Sequence, residues 1–118
     1  MKYLCLVAID ERKLEALSQS ESDALDAESL AYDDTLHKGG HLIAAQALQP
    51  VRNATTLRVQ HGKVLVTDGP FIETHEQIGG FILIEARDLN EAIQLASKIP
   101  VARMGAIEVR PIKELRRR

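Results

Sequence analysis

The chain has 118 residues, of which 45% are hydrophobic and 3% aromatic, and its formal net charge is -2 at pH 7. This length and composition predict a single domain spanning residues 1–118. A slightly acidic chain with few aromatic side chains lacks the positive field and the stacking groups of nucleic-acid-binding proteins, so we expect no nucleic-acid partner. No run of about 18 apolar residues occurs, which predicts that no segment spans a membrane.

The only cysteine, Cys5, lies in an apolar run near the N-terminus. A lone thiol forms no internal disulfide, and a buried free thiol is typical of proteins in a reducing compartment. We therefore expect a cytoplasmic protein. Residues 3–9 are apolar at both alternating sets of positions, which predicts a first strand that is covered on both faces.

A polar, acid-rich connection follows, and Ser20 or Ser22 is the predicted N-cap of a helix that runs to about Lys38. The pair Gly39-Gly40 ends this helix. Strands are predicted at 41–49, 54–60 and 63–67, the last two forming a hairpin. A strand that is apolar on both faces follows at 79–86, then a helix that begins at Asp88, and a last strand at 106–110.

The order β-α-β-β-β-β-α-β predicts an α+β fold, with a ferredoxin-like antiparallel sheet, two helices on one face and an extra hairpin. Two helices cover only one face of the sheet. Because the first and fifth strands are apolar on both sides, we expect the second face to pack on another copy, forming a homodimeric α+β barrel. Assembly beyond the dimer stays open.

The sequence contains no motif that is typical of a metal or cofactor site. One Cys and four scattered His provide no spacing that is typical of metal ligands. The pairs Gly39-Gly40 and Gly79-Gly80 are not part of a nucleotide-binding glycine motif. We therefore expect no metal and no cofactor.

The strongest local signal is the string "TDGPFIETHE" at residues 67–76. Asp68 has two interpretations: a turn residue whose carboxylate accepts backbone N–H groups, or a general base at a pocket between subunits. In either case Gly69 and Pro70 shape the turn, and Phe71 is the predicted hydrophobic anchor that pins it to the core.

Four further polar residues are candidate ligand-binding residues. Glu73 follows the turn, and Glu108 and Arg110 alternate on the last strand opposite an apolar face. Arg58 lies on the third predicted strand. Acids and arginines that face an apolar cavity bind small polar ligands, although the same residues are also typical of a solvated surface.

The chain resembles the DGPF branch of the YCII-related family in several ordered motifs. These are "KGGHL", "VRNATTLRVQHGKVLVTDGPF", "TDGPFIETHEQIGGFILIEA", "DLNEAIQLASKIP" and "GAIEVRPI". The resemblance implies a ferredoxin-like fold and a dimeric α+β barrel. It also implies a cleft with a His-Asp pair in some members, one of which removes chloride from an aromatic ring.

In the family the His falls in the first helix, and the matching position in this chain is Ser29. A base that pairs with Asp68 must then be His37, His41 or His75, and we take His75 and His41 as the candidates. The resemblance implies a protein that binds or transforms a small polar or aromatic molecule near Asp68. The alternative is a non-catalytic regulatory module linked to an extracytoplasmic-function sigma factor, and whether the protein is an enzyme stays open.

Overall fold

The structure is a computed structural model that describes residues 1–117. Its strands are β1 (Lys2–Asp10), β2 (Leu42–Ala47), β3 (Thr55–Gln60), β4 (Lys63–Asp68), β5 (Glu76–Glu85) and β6 (Ala106–Pro111). Its helices are α1 (Glu11–Glu15), α2 (Gln19–Lys38) and α3 (Leu89–Ala96). Four strands form one antiparallel sheet in the order β2-β5-β1-β6, and β3 and β4 form a separate two-stranded sheet.

The core lies on one face of the four-stranded sheet. Every second side chain of β1, from Tyr3 to Ile9, is buried there, as are Ile82 and Ile84 of the neighbouring β5. Leu36 of α2 and two alanines of α3 belong to the same buried cluster, so both long helices cover this face. The predicted α+β fold, with an antiparallel sheet and two helices on one face, is confirmed.

The opposite, outer face of the sheet carries no helix. Leu4 and Leu6 of β1 lie beside Leu83 and Phe81 of β5, and all four side chains are only half-buried. Both faces of these two strands are apolar, as the sequence predicts. The predicted dimer would cover this outer face, but a single chain does not test it and it stays a prediction.

Helix α2 begins earlier than predicted, and a short helix precedes it. Its N-cap is Ser18, not Ser20 or Ser22: the Ser18 hydroxyl accepts a hydrogen bond from the N–H of Glu21 at 3.1 Å, and the Glu21 carboxylate accepts one from the N–H of Ser18 at 3.0 Å. This reciprocal capping box satisfies two N–H groups that the helix leaves unpaired. The predicted polar connection also contains α1, which Asp10 caps.

Helix α3 begins as predicted, with the Asp88 carboxylate accepting a hydrogen bond from the N–H of Glu91 at 2.9 Å. It ends before Pro100, which opens a short 3₁₀ turn (Pro100–Arg103) that leads into β6. Tyr32 of α2 donates its hydroxyl to the carbonyl of Leu95 at 2.6 Å and so ties the two long helices together. Within residues 1–117, no helix is long and apolar enough to cross a membrane.

The hairpin of β3 and β4, residues 55–68, projects from the rest of the chain, and we call it the arm. At its tip His61 and Gly62 both have positive φ (51° and 75°), which is typical of tight hairpin turns. The predicted hairpin is therefore present, with β4 extending to Asp68. Its apolar side chains are exposed, which distinguishes the arm from the core strands.

Candidate functional site

The Asp68 turn is held by its backbone and by a threonine. Gly69 has φ +98°, a conformation that favours glycine, and its N–H donates to the carbonyl of Ala54 at 2.8 Å. Thr56 donates its hydroxyl to the Gly69 carbonyl at 2.8 Å. Among residues 1–117 the Asp68 carboxylate has no hydrogen-bond partner. The turn is therefore built without the carboxylate contacts that the sequence suggested, and a catalytic role for Asp68 stays a prediction.

Phe71 is not the buried anchor that the sequence predicts. Its side chain is 65% exposed, and Arg58 of the arm lies over its ring at 4.8 Å from the centroid. This stacking places a cation on the negative face of the ring and attaches the loop to the middle of the arm, where Arg58 pairs with Leu65. Arg58 is thus engaged with an aromatic side chain of its own chain.

His75 lies beside Arg12 and Asp10. Arg12 donates two hydrogen bonds from Nε and one from Nη2 to the Asp10 carboxylate, at 2.6–3.2 Å, and its Nη2 lies 3.3 Å from Nδ1 of His75. Because a guanidinium only donates, Nδ1 is the acceptor in this contact and Nε2 carries the proton of the neutral ring. In this arrangement Nδ1 of His75 is engaged with Arg12, and a catalytic role for His75 stays a prediction.

The Arg12 hydrogen bonds lower the pKa of Asp10 to about 2. A carboxylate with a lowered pKa in the folded state stabilises the fold above its ordinary pKa of 3.8, and this stabilisation is lost as the pH falls through about 2. We therefore expect the unfolding free energy of the wild type to fall more steeply between pH 4 and pH 2 than that of Asp10→Asn. Urea unfolding at a series of pH values measures this difference.

Asparagine is also a good N-cap, so Asp10→Asn keeps the cap of α1 and removes only the charge. Arg12→Gln removes the partner of Asp10. This variant should also show a weaker dependence of the unfolding free energy on pH between pH 4 and pH 2. Equal slopes for the wild type and both variants would show that the Asp10–Arg12 contact does not stabilise the fold.

His41 precedes β2 and is engaged in the main sheet. Its Nδ1 lies 2.8 Å from the carbonyl oxygen of Glu85, so Nδ1 carries the proton and donates it. Its backbone N–H donates to the carbonyl of Leu36. His41 therefore joins the end of α2 to β5, and no hydrogen bond within residues 1–117 connects it to Asp68.

The remaining predicted ligand-binding residues lie apart from one another. Glu73 is exposed in the loop after the turn. Glu108 and Arg110 form an exposed ion pair on β6, with 3.6 Å between Oε2 and Nε. The structure therefore distributes the predicted site residues over the arm, the loop, β6 and the start of β2, and their roles stay predictions.

A first cleft of about 550 Å³ opens beside the Asp68 turn, and we call it the loop cleft. The loop after the turn forms one side, with Pro70 and Phe71, and the segment after β2 forms the other. Its lining is mainly apolar, and Asp68 itself does not line it.

A second cleft of about 620 Å³ lies between α2 and the core face of the sheet, and we call it the helix cleft. Its sheet wall is apolar and includes Val7, Ile9 and Ile82. Its helix wall is mixed: Leu25, Leu30 and Tyr32 line it together with four polar residues, although a helix that packs on a sheet usually turns mainly apolar residues inward. The polar residues of that wall are Ser22, Asp26, Ser29 and Asp33.

Asp33 lines the helix cleft, and its carboxylate is half-buried there. Burial, and second the charge of the neighbouring Asp34, raise the pKa of Asp33 above its usual value. A half-buried carboxylate beside an apolar wall attracts a donor hydroxyl more strongly than a solvated one does, because less water competes for it. Tyr32 also lines the cleft, but its hydroxyl is already bound to Leu95.

Sequence reasoning missed the polar wall of the helix cleft, although a signal was present. Residues 22, 26, 29 and 33 follow the spacing i, i+4, i+7 and i+11, which places them on one face of a helix. Of the four, Ser22 was predicted only as an N-cap and Ser29 only as the position that matches the family's His, and neither aspartate was predicted as a site residue. Within residues 1–117, no three His, Cys, Asp or Glu side chains are grouped as metal ligands.

Comparisons with known proteins agree with this architecture. A family model described as the YCII-related domain matches residues 1–116. An uncharacterised protein from Rhizobium meliloti (strain 1021) is 36% identical over 114 residues, covering 95% of this chain and 92% of the relative.

One solved structure is similar over 96% of this chain and 94% of its own, with a TM-score of 0.56 and 17% identity. It is the 5-chloro-2-hydroxyhydroquinone dehydrochlorinase from Burkholderia phenoliruptrix AC1100, in complex with 2,5-dihydroxybenzoquinone. At this identity the similarity shows the shared fold.

Proposed function

The chain belongs to the YCII-related family, and from that premise we propose that it binds a small hydroxylated aromatic molecule in the helix cleft, with Asp33 as the acceptor of a ligand hydroxyl. The observation that carries this proposal is the pairing of a mainly apolar sheet wall with a helix wall that carries four polar side chains, Asp33 among them. A flat ring with hydroxyl groups matches both walls, because its face packs on aliphatic side chains while its edge makes hydrogen bonds.

The volume of the helix cleft supports a ligand of this size. Small-molecule sites commonly measure about 300–1,000 Å³, so about 620 Å³ accommodates a single substituted ring. The similar dehydrochlorinase acts on a hydroxylated, chlorinated ring. A related fold is therefore compatible with ligands of this class. The polar residues that line the helix cleft of this chain are a separate reason to expect a hydroxylated ligand.

Asp33 gives the proposed site its chemistry. An ionised carboxylate accepts a hydrogen bond from a phenolic hydroxyl, and a carboxylate with a raised pKa is also a better proton acceptor near neutral pH. Ser29 lies one turn earlier on α2 and lines the same cleft, where its hydroxyl donates or accepts. A step that transforms the ligand would begin with proton transfer to Asp33.

Calorimetric titration of the protein with 1,2,4-trihydroxybenzene, under anaerobic conditions, tests the proposal. We expect saturable binding to the wild type and at least a tenfold loss of affinity for Asp33→Asn. Hydrogen bonds to charged groups contribute about 1.5–3 kcal/mol, and 1.4 kcal/mol corresponds to a factor of ten. 1,2,4-Trimethoxybenzene has no hydroxyl to donate and should bind more weakly to the wild type.

Asp34→Asn is the matched control, because Asp34 is the adjacent acid and does not line the cleft. Binding of the hydroxylated ligand should weaken as the pH falls through the raised pKa of Asp33. In Asp34→Asn this weakening should move to lower pH, since the neighbouring charge that raises the pKa of Asp33 is gone. Equal affinities for the wild type and Asp33→Asn would reject the assigned role of Asp33.

A ligand in the loop cleft near Asp68 stays the second candidate site, favoured by its apolar lining and by the exposed ring of Phe71. Phe71→Ala, which removes a side chain that lines the loop cleft, distinguishes the two sites. Loss of binding in this variant, with Asp33→Asn unaffected, would place the ligand beside the turn.

A further inference from the structure

We propose that the helix cleft selects its ligand by charge: it takes a hydroxylated ring that carries an ammonium group on a short side chain and rejects one that carries a carboxylate. This inference rests on the proposed function of the same cleft and adds the chemical class of the ligand. Two carboxylates, Asp26 and Asp33, line the cleft, and among residues 1–117 no lysine, arginine or histidine lines it.

The cations that lie near the lining in the chain are engaged elsewhere. Lys13 precedes a lining leucine but donates to the carbonyl of Met104 at 3.3 Å. Arg103 ends the 3₁₀ turn that contributes to the lining, but it forms an ion pair with Glu28 at 2.9 Å. Within residues 1–117 neither aspartate of the cleft forms an ion pair. The charges that line the cleft are therefore negative and are not neutralised by the chain itself.

Helix α2 extends this negative charge along the whole wall. It contains six acidic residues and one lysine, a net charge of -5 with His37 neutral, whereas the whole chain carries -2. The charge of Asp34 already acts on Asp33, where it adds to burial in raising the pKa. Like charges in a cleft with an apolar wall concentrate ligands of opposite charge and repel those of the same charge. A ligand carboxylate is therefore disfavoured and an ammonium group is favoured.

Asp26 and Asp33 are placed to bind the two ends of one ligand. Seven residues separate them, which is about 10.5 Å along the helix axis. Asp33 is half-buried and accepts the ring hydroxyl, while Asp26 is exposed and lies where an ammonium group keeps much of its water. Because that group is not fully desolvated, its attraction to Asp26 is not cancelled by the cost of burying a charge. A ring with a two-carbon amine side chain spans most of the distance, and the two carboxylate side chains cover the rest.

Calorimetric titration with three catechols of similar shape tests the selection, under anaerobic conditions at pH 7 and low ionic strength. Dopamine ends in an ammonium group, 4-propylcatechol has a methyl group in its place, and 3,4-dihydroxyphenylacetate carries a carboxylate. We expect dopamine to bind the wild type at least tenfold more tightly than 3,4-dihydroxyphenylacetate, since the first is attracted and the second repelled. Added salt should reduce this difference, because it screens the charges.

Asp26→Asn and its matched control Asp23→Asn localise the effect. Both residues are exposed acids of α2, but Asp23 does not line the cleft. Aspartate and asparagine have similar helix propensities, so both variants should keep the fold. The ratio of the affinities for dopamine and 4-propylcatechol should fall about threefold in Asp26→Asn, as expected for an exposed ion pair. The ratio should stay at the wild-type value in Asp23→Asn, which loses the same charge.

An affinity ratio that is the same in the wild type and in Asp26→Asn would overturn the inference, as would equal affinities of the wild type for dopamine and 3,4-dihydroxyphenylacetate. In either result 4-propylcatechol still binds, so the proposed function stands. A wild type that binds neither 4-propylcatechol nor 1,2,4-trihydroxybenzene would reject the proposed function, and the charge selection with it.

Discussion

Replacing Gly105 with alanine should destabilise the fold by about 3 kcal/mol or more. Gly105 immediately precedes β6 and passes over the end of β1, where an added Cβ would lie 2.1 Å from the carbonyl oxygen of Ala8 and 3.2 Å from Cα of Ile9. These are backbone atoms of the central strand, which cannot rotate away as a side chain can. Relief of the clash requires β6 to shift relative to β1, at the expense of the ladder that begins with Ala8 and Ala106.

Urea unfolding followed by circular dichroism measures the effect. Gly39→Ala is the matched control, because the Cβ added there lies 3.1 Å from the His41 ring, which is a side chain, and an ordinary 3.5 Å from the Thr35 carbonyl oxygen, and Gly39 has an ordinary helical φ of -78°. We expect a change of less than about 1 kcal/mol in this control. An unfolding free energy of Gly105→Ala equal to that of the wild type would show that β6 is not held against β1 as described.

Replacing Ser29 with tryptophan should abolish most of the ligand binding and leave the fold intact. Ser29 is half-buried on the polar wall of the helix cleft, and an indole at this position would occupy the space that the ligand needs. The added apolar surface faces the apolar sheet wall, so the unfolding free energy should stay equal or rise. We expect at least a tenfold weaker affinity for 1,2,4-trihydroxybenzene.

Ala27→Trp places the same side chain on the exposed face of α2, outside the cleft. It should bind the ligand as the wild type does, which separates the filling of the cleft from a general effect of tryptophan on the helix. Unchanged affinity in Ser29→Trp would show that the ligand does not enter the helix cleft at this position.

The sheet was predictable from the sequence because its strands follow a strong local pattern. Apolar residues at both alternating sets of positions in β1 and β5 predicted the strands and the covering of both faces, but not which face packs on the helices, where Cys5 and Ile84 are fully buried. The turn residues His61 and Gly62 likewise predicted the hairpin. These features depend on neighbours in the chain, which a sequence displays directly.

The start of α2 was less predictable. Three serines, at positions 18, 20 and 22, offer similar caps, and the choice of Ser18 depends on Glu21 standing three residues later to complete the capping box. The short helix α1 was missed because its five residues give no apolar period, and its cap comes from the last residue of β1.

The site was least predictable, because it depends on contacts between distant segments. Phe71 is apolar and follows a tight turn, which predicts burial, yet the turn projects with the arm and leaves the ring exposed to stack on Arg58. Nothing in the local sequence brings His75 to Arg12, 63 residues away. From the sequence alone, the acidic residues of α2 resemble a solvent-exposed helix face. Only the folded structure shows that Ser29 and Asp33 face the sheet across the helix cleft.

The most direct test of a ligand site in the helix cleft is a ¹H–¹⁵N correlation titration of the wild-type protein with 1,2,4-trihydroxybenzene. Saturable shifts should concentrate on residues 22–33 of α2 and on the core-facing positions of β1 and β5, whereas the arm should not respond. Shifts confined to residues 70–78, around the loop cleft, or no saturable shifts up to millimolar ligand, would contradict the proposed function.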